Sequence, residues 1–464
     1  MTTRFRWATS ARLVGGTVAS VALVAGTLTA VAVTWPDHER GPVTVVATPA
    51  PSDSVAACPG GLLAIGRDAT LAGSVSLVAD ATTTAGTGAG QVEATPEVLS
   101  VSGIDASAPA VFTAPPAGDT RTDLAAASSA SVTAEDLSGF AAASCTPPLL
   151  ESWIVGGATT TGSSGLLLLA NPGSVPATVQ ITAYGAAGPQ VPPAGELIVP
   201  PGTQRVVPLA GLARGEQSPV LHVVSTGAPV QASLQASITR TLLAGGVDQV
   251  GPIIAPDTEL VIPGVAVSAP PGVEGASDPT AIVRLLAPSA ATTATVTVQS
   301  AGREVVTREV PLEAGLPLEL DLGALAVGDY TVHVAADAAV VAGVWTTTGF
   351  DQGDDFAWHV PAPRLESPAL VAVAAGPSPS LTLAAPGDEA VTVTLGADAG
   401  AGSPQQVAVP AGGTVRVPVQ EQALYRLEAT GPVNAAVGYA GAGALAAYAV
   451  WPADAAAAPL IVHP

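Results

Sequence analysis

One pattern constrains this chain more than any other: an apolar run, closed by a proline turn and followed by an alternating strand, occurs three times. The copies read LLLLANPGSVPATVQITAYG from Leu166, IVRLLAPSAATTATVTVQSAG from Ile282 and LTLAAPGDEAVTVTLGADAG from Leu381. In ATVTVQ and AVTVTL, Val falls on one face and Thr on the other, the period-two signature of a half-buried strand. The apolar run and the strand after it read as a hairpin-like pair. Each copy continues with a turn and a further alternating strand: VPPGTQRVVPL from Val199, VPLEAGLPLELDL from Val310 and VPAGGTVRVPV from Val409. Each closes around PVQASLQAS at Pro229, AVVAGVWTTT at Ala339 or PVNAAVGYAG at Pro432. Short strands with Gly and Pro turns, in units of roughly 100 residues, are what an immunoglobulin-like sandwich requires. The expectation is an all-β protein of tandem immunoglobulin-like β-sandwich domains at residues 150–255, 256–364 and 365–464, following one N-terminal transmembrane helix.

Composition supports that class. In 464 residues there are 50 Gly and 43 Pro, and only 11% of residues are charged. Pro removes a donor and Gly weakens helix interiors, so long helices have little room outside the N-terminus. The net charge of −22 comes from scattered acids, which repel phosphate backbones, so nucleic acid is not an expected partner.

Leu13 to Trp35 is a run of 23 residues without a charged side chain. As a helix it would extend roughly 34 Å, against a hydrocarbon core of about 30 Å. Arg4, Arg6 and Arg12 precede it, whereas Asp37, Glu39 and Arg40 follow, which keeps residues 1–12 cytoplasmic and sends the bulk of the chain outside. The expected address is therefore the cell membrane, single-pass. A cleaved signal peptide is the alternative, since Ala30-Val31-Ala32 fits a small-x-small cleavage site, and it would leave the protein secreted. Length favours a retained anchor. Residues 36–55 are Pro-rich and read as a stalk.

The two cysteines, Cys58 and Cys145, fall on the exported side, where thiols are oxidised, so one disulfide is expected. It brackets an N-terminal β-region at residues 56–149, in which LSGFAAASC before Cys145 resembles a closing strand of the repeat.

The stretch CTPPLLESWIVGGATTTGSSGLLLLANPGSVPATVQITAYGAAG from Cys145, with VPPGTQRVVPL and GFDQGDDFAWHVPA further on, resembles an uncharacterised actinobacterial family of membrane-anchored or secreted proteins, a domain of unknown function. Cys-x-x-Pro, Trp153 with Gly156-Gly157, and Asn171-Pro172-Gly173 carry the likeness. The resemblance implies an exported, non-enzymatic envelope protein whose gene often neighbours an envelope glycosyltransferase. It carries no site residues with it.

No constellation of residues points to catalysis or a cofactor. There is no G-x-S-x-G elbow, no Walker loop, and no G-x-G-x-x-G between a strand and a helix. Of the five histidines (His38, His222, His333, His359 and His463), His222 and His333 sit in matching strands and read as solvated or satisfied strand residues. Asp351, Asp354 and Asp355 could offer oxygens to calcium, but they lack the EF-hand spacing and read as a solvated hairpin tip. Trp153, Trp345, Trp358 and Trp451 read as core residues, with an exposed sugar platform as the alternative. The expected function is a non-enzymatic envelope structural or interaction protein, with an envelope protein or wall polysaccharide as partner. A glycan-binding module and a secreted hydrolase stand as alternatives.

Overall fold

In the computed structural model, the described residues are 4–32, 45–47, 51–67, 73–101, 109–118, 120–240, 243–269, 279–366, 368–397, 403–452 and 460–462. They fall into two units, Met1–Pro49 with Pro459–Pro464, and Ala50–Ala458. The first contains the helix Arg4–Ala32, within which Ser10–Ala30 is long and apolar enough to cross a membrane. It also contains an antiparallel pair between Val45–Ala47 and Leu460–Val462. His38, His463 and most of the expected stalk lie outside the described residues. The stalk's last residues are strand instead, because Ser54–Ala57 pairs with Ala110–Ala114.

The second unit is built of strands, and one pairing scheme occurs in it three times. In the first set, Glu151–Val155, Val220–Thr226, Ala177–Gly185 and Glu196–Val199 pair in that order as one sheet. Thr203–Pro208, Ser163–Asn171, Gln231–Arg240 and Leu243–Val250 form the other. The second set repeats the order with Asp257–Val267, the first half of Gly328–Thr347, Thr292–Ser300 and Arg303–Leu312. Its other sheet is Leu318–Asp321, Ala281–Leu286, the second half of Gly328–Thr347 and Phe356–His359. The third set runs Ala369–Val373, Ala423–Ala429, Val391–Ala397 and Gln405–Val409. Against it lie Thr414–Pro418, Ser380–Ala384, Val433–Gly441 and Ala444–Ala449.

This pairing corrects the hairpin reading. The apolar run and the alternating strand that follows it never pair; in every set they enter different sheets. Between Asn171 and Ala177 the loop Pro172–Pro176 can reach across the roughly 10 Å that separates packed sheets. Alternation reports which face of a strand is buried and is silent about its partner. Each pair of sheets shares a core: Leu167, Leu169, Val179 and Ile181 in the first set, Val283, Leu285, Val296 and Val298 in the second, Leu381, Leu383, Val393 and Leu395 in the third.

The N-terminal β-region folds over the first set. A disulfide joins Cys58, just after its first strand, to Cys145, just after the strand Ser138–Ser144. Leu63 packs on Leu166 and Leu168, the outward-facing leucines of the first set. Three glutamine side chains from that same sheet hold the backbone of the region. Gln204 donates to the Pro59 carbonyl at 2.9 Å, Gln249 to the Gly60 carbonyl at 2.9 Å, and Gln235 both accepts from and donates to Leu63 at 2.9 and 2.7 Å. The strand Ser138–Ser144, read from sequence as resembling a closing strand of the repeat, pairs with Leu124–Thr133, which pairs in turn with Thr82–Thr87.

Candidate functional site

Two polar constructions stand out inside the second unit. The first is a junction of four sheet edges: Ser138–Ser144, Leu243–Val250, Phe356–His359 and Ala444–Ala449 pack side by side. Edge strands carry unpaired backbone donors, and a carboxylate can answer several of them. Asp355, immediately before Phe356, does so. Its carboxylate accepts from the backbone N–H of Phe140 at 2.8 Å, Val247 at 3.0 Å and Leu445 at 3.2 Å, one donor from each of three regions of the chain. Gly139 and Gly246 are required for this approach. A Cβ at either position would stand 2.7 Å from Asp355 Oδ1, and both glycines have positive φ, 148° and 113°.

Asp355 is fully buried, which corrects the solvated-tip reading. Asp351 is exposed, and Asp354 turns inward to accept from the Thr348 hydroxyl at 3.1 Å and the Asp351 N–H at 2.7 Å, bracing the turn. The trio therefore splits into three environments. Burial pushes the Asp355 carboxyl up to about 7, against its backbone hydrogen bonds, which favour the anion. Asp248 is buried beside it on the neighbouring edge, accepting from Trp358 N–H at 2.7 Å through Oδ2 while Oδ1 has no partner. Burial, with Asp355 nearby, raises its pKa well above the usual range.

The second construction is a cleft of about 340 Å³ between the first and second strand sets. Its floor is Arg284, whose side chain is 2% exposed, paired with Glu319 at 18%. The guanidinium reaches Glu319 Oε1 from Nε at 3.0 Å and from Nη2 at 2.7 Å. It also donates to the carbonyls of Gly157, Pro219 and Gln217 at 2.8, 2.9 and 3.1 Å, and lies over the Trp358 ring at 4.5 Å. Burial lowers the Arg284 pKa and Glu319 opposes that shift; an arginine so held remains a cation. Trp345 and Phe350 form the aromatic wall, with the Arg240 guanidinium 4.9 Å above the Phe350 ring, and Ser163, Ser237 and Gln217 line the cleft from the first set.

Of the residues singled out from sequence, Trp345 and Trp358 meet in this cleft, and Trp153, Trp345 and Trp358 are buried, whereas Trp451 is half-buried. His222 is a satisfied strand histidine. It stacks on Trp153 at 4.0 Å and bonds Glu151 at 2.9 Å. His333 is half-buried with Nε2 unpartnered among the described residues, neither solvated nor satisfied at that nitrogen, which corrects the reading from sequence, and burial lowers its pKa. His359 is buried against the Thr346 hydroxyl at 2.9 Å, and burial brings it down to about 4, so the ring is neutral.

A family model described as a family of unknown function (DUF5719) matches residues 100–420, more than half of the chain. The protein belongs to DUF5719. No curated protein matches it. The DUF5719 match takes in Asp248, Asp355, Arg284 and Glu319, so the cleft and three of the junction's four edges lie inside the family region, whereas the fourth edge, Ala444–Ala449, lies beyond it. Sequence reasoning passed over Asp248, Arg284 and Glu319. The available signal was Arg284 itself, a charge inside the apolar strand IVRLLAP, where a cation persists only with partners.

Proposed function

We propose that this DUF5719 protein is a non-enzymatic interaction protein of the cell envelope. A single-pass N-terminal helix anchors it with residues 1–12 cytoplasmic, and the β-rich body is displayed outside. The strand sets are tandem immunoglobulin-like β-sandwiches with boundaries near residues 150, 256 and 365, behind the disulfide-bracketed region at 56–149. The four-edge junction carries this reading. By satisfying edge donors from the N-terminal region and from the first and third sets with one carboxylate of the second, it ties all four into one body suited to presenting a surface at a fixed geometry. The apolar Ser10–Ala30 segment and the Cys58–Cys145 bond accord with an extracytoplasmic address. The neighbourhood implied by the family resemblance adds a role beside envelope polysaccharide assembly in an actinobacterial host.

Topology is the test. A tag placed after Pro464 should react with a membrane-impermeant reagent on intact cells, while the protein stays with the membrane through a high-salt wash. A tag reactive only after lysis would overturn the reading. Release of the whole protein to the medium would replace anchoring by secretion.

A further inference from the structure

We infer that the cleft between the first and second strand sets is a saccharide-binding site sized for one or two sugar rings; this rests on the extracytoplasmic reading above. Aromatic side chains are scarce in the chain, with 6 Trp, 5 Tyr and 5 Phe in 464 residues. Trp345 and Phe350 nevertheless stand together at this cleft, with the buried core residues Phe356 and Trp358 also in its lining. Its volume of about 340 Å³ falls at the lower end of small-molecule pockets, which run from about 300 to 1,000 Å³.

The lining is two-sided, and that selects the ligand chemistry. A sugar ring has apolar C–H faces and a rim of hydroxyls. The faces match the Trp345 and Phe350 wall, and the hydroxyl rim matches the Gln217 amide and the Glu319 carboxylate, with Ser163 and Ser237 also in the lining. A purely apolar ligand would strip water from those polar groups without replacing its hydrogen bonds. A polyphosphate ligand would meet a chain of net charge −22.

Preorganisation supports the assignment. Glu319 is oriented by two bonds from Arg284, and Gln217 Nε2 lies 3.5 Å from Glu319 Oε2, so carboxylate and amide stand together before any ligand arrives. Arg240, stacked on Phe350 and donating to the Gly245 carbonyl at 3.4 Å, adds a cation to the lining. Neutral and acidic sugars share the ring chemistry, and the experiment separates them.

The test uses the full chain in lipid nanodiscs, titrated with a neutral panel (N,N′-diacetylchitobiose, galactobiose, mannobiose) and a disaccharide bearing glucuronic acid, and read by tryptophan fluorescence, since Trp345 and Trp358 line the cleft. Saturable binding of at least one sugar is expected, weakened tenfold or more in Phe350→Ala and in Gln217→Ala. Binding confined to the glucuronic-acid arm and abolished by Arg240→Gln assigns that arginine to the carboxylate. The absence of saturation in both arms overturns the proposal, as does undiminished affinity in both cleft variants. Thermal melting identifies a variant that has lost its fold, in which case Ser163→Val takes its place. Failure here leaves the display reading standing, because tag accessibility on intact cells reads that separately.

Discussion

The second strand of each set offers a direct comparison between three regions built on one plan. Counting back four residues from the prolines Pro172, Pro288 and Pro386 lands on Leu168, Arg284 and Thr382, all three buried, although in an isolated two-sheet unit this face would be wet. Leu168 lies under Leu63 of the N-terminal region. Arg284 reaches into the first set, binding the carbonyls of Gly157 and Pro219. Thr382 lies where a Cβ on Gly264 of the second set would approach its Oγ1 to 3.2 Å. The inward-facing neighbours, Leu167 and Leu169 against Val283 and Leu285 or Leu381 and Leu383, are interchangeable aliphatics. The inner face thus encodes the repeat, and the outer face encodes its neighbour.

Exchanging residues between equivalent positions tests this most severely. Leu168→Arg should have the largest effect, a loss of more than about 4 kcal/mol or failure to fold, since a buried cation would face leucines without a carboxylate. Expression and circular dichroism would show it; a well-folded variant of normal stability would break the comparison. Arg284→Leu, the reverse exchange, should cost about 3–5 kcal/mol by leaving Glu319 without its cation and three carbonyls without donors. Denaturant melts measure it, and a loss under about 1 kcal/mol would mean that the second set does not depend on that contact.

The side-chain amides that hold the N-terminal region come next. Gln235→Ala strips both backbone partners from buried Leu63, and a loss of about 1–3 kcal/mol is expected, with faster proteolysis inside residues 56–149. Proteolysis unchanged in that region would show that the disulfide alone retains it.

For Asp355 the sign follows from its raised pKa of about 7. Between the usual carboxylate range and about pH 7 the native state keeps a proton that the unfolded chain has released. This group's contribution to stability is therefore full below about pH 4 and is lost as pH rises through about 7. Asp248 shifts in the same direction. Asp355→Asn, which resembles the protonated acid, should narrow its stability deficit against the parent protein as pH rises across that window. Parallel pH profiles for the two proteins would refute this assignment. The smallest expected effect is that of Gly264→Ala, about 1–2 kcal/mol, from a residue with φ of 73° packed on Thr382. A thermal shift indistinguishable from zero would show that this interface yields.

Legibility in the sequence followed the same division between faces. Strand existence, the order of elements within each copy and the inward Val and Leu positions were readable, because each depends on periodicity within about ten residues. The hairpin reading of LLLLANPGSVPATVQITAYG failed because partner choice depends on strands arriving later in the chain. Asp355 read as solvated because FDQGDDFAW is locally a polar turn, and its three backbone donors come from Phe140, Val247 and Leu445, remote in sequence. Arg284 was visible as an anomaly whose partners were not.

By itself, the sequence determined a β-rich chain with an apolar N-terminal helix, one cysteine pair and three copies of a strand pattern, since composition, hydropathy and alternation are local quantities. Only the tertiary structure decided which sheet each strand joins, that Asp355 gathers four edges and that aromatic residues line one cleft. Those outcomes rest on contacts between residues far apart along the chain, such as Gln235 with Leu63 at a separation of 172 residues. Local patterning carries no information about which distant group will arrive to satisfy a buried polar atom.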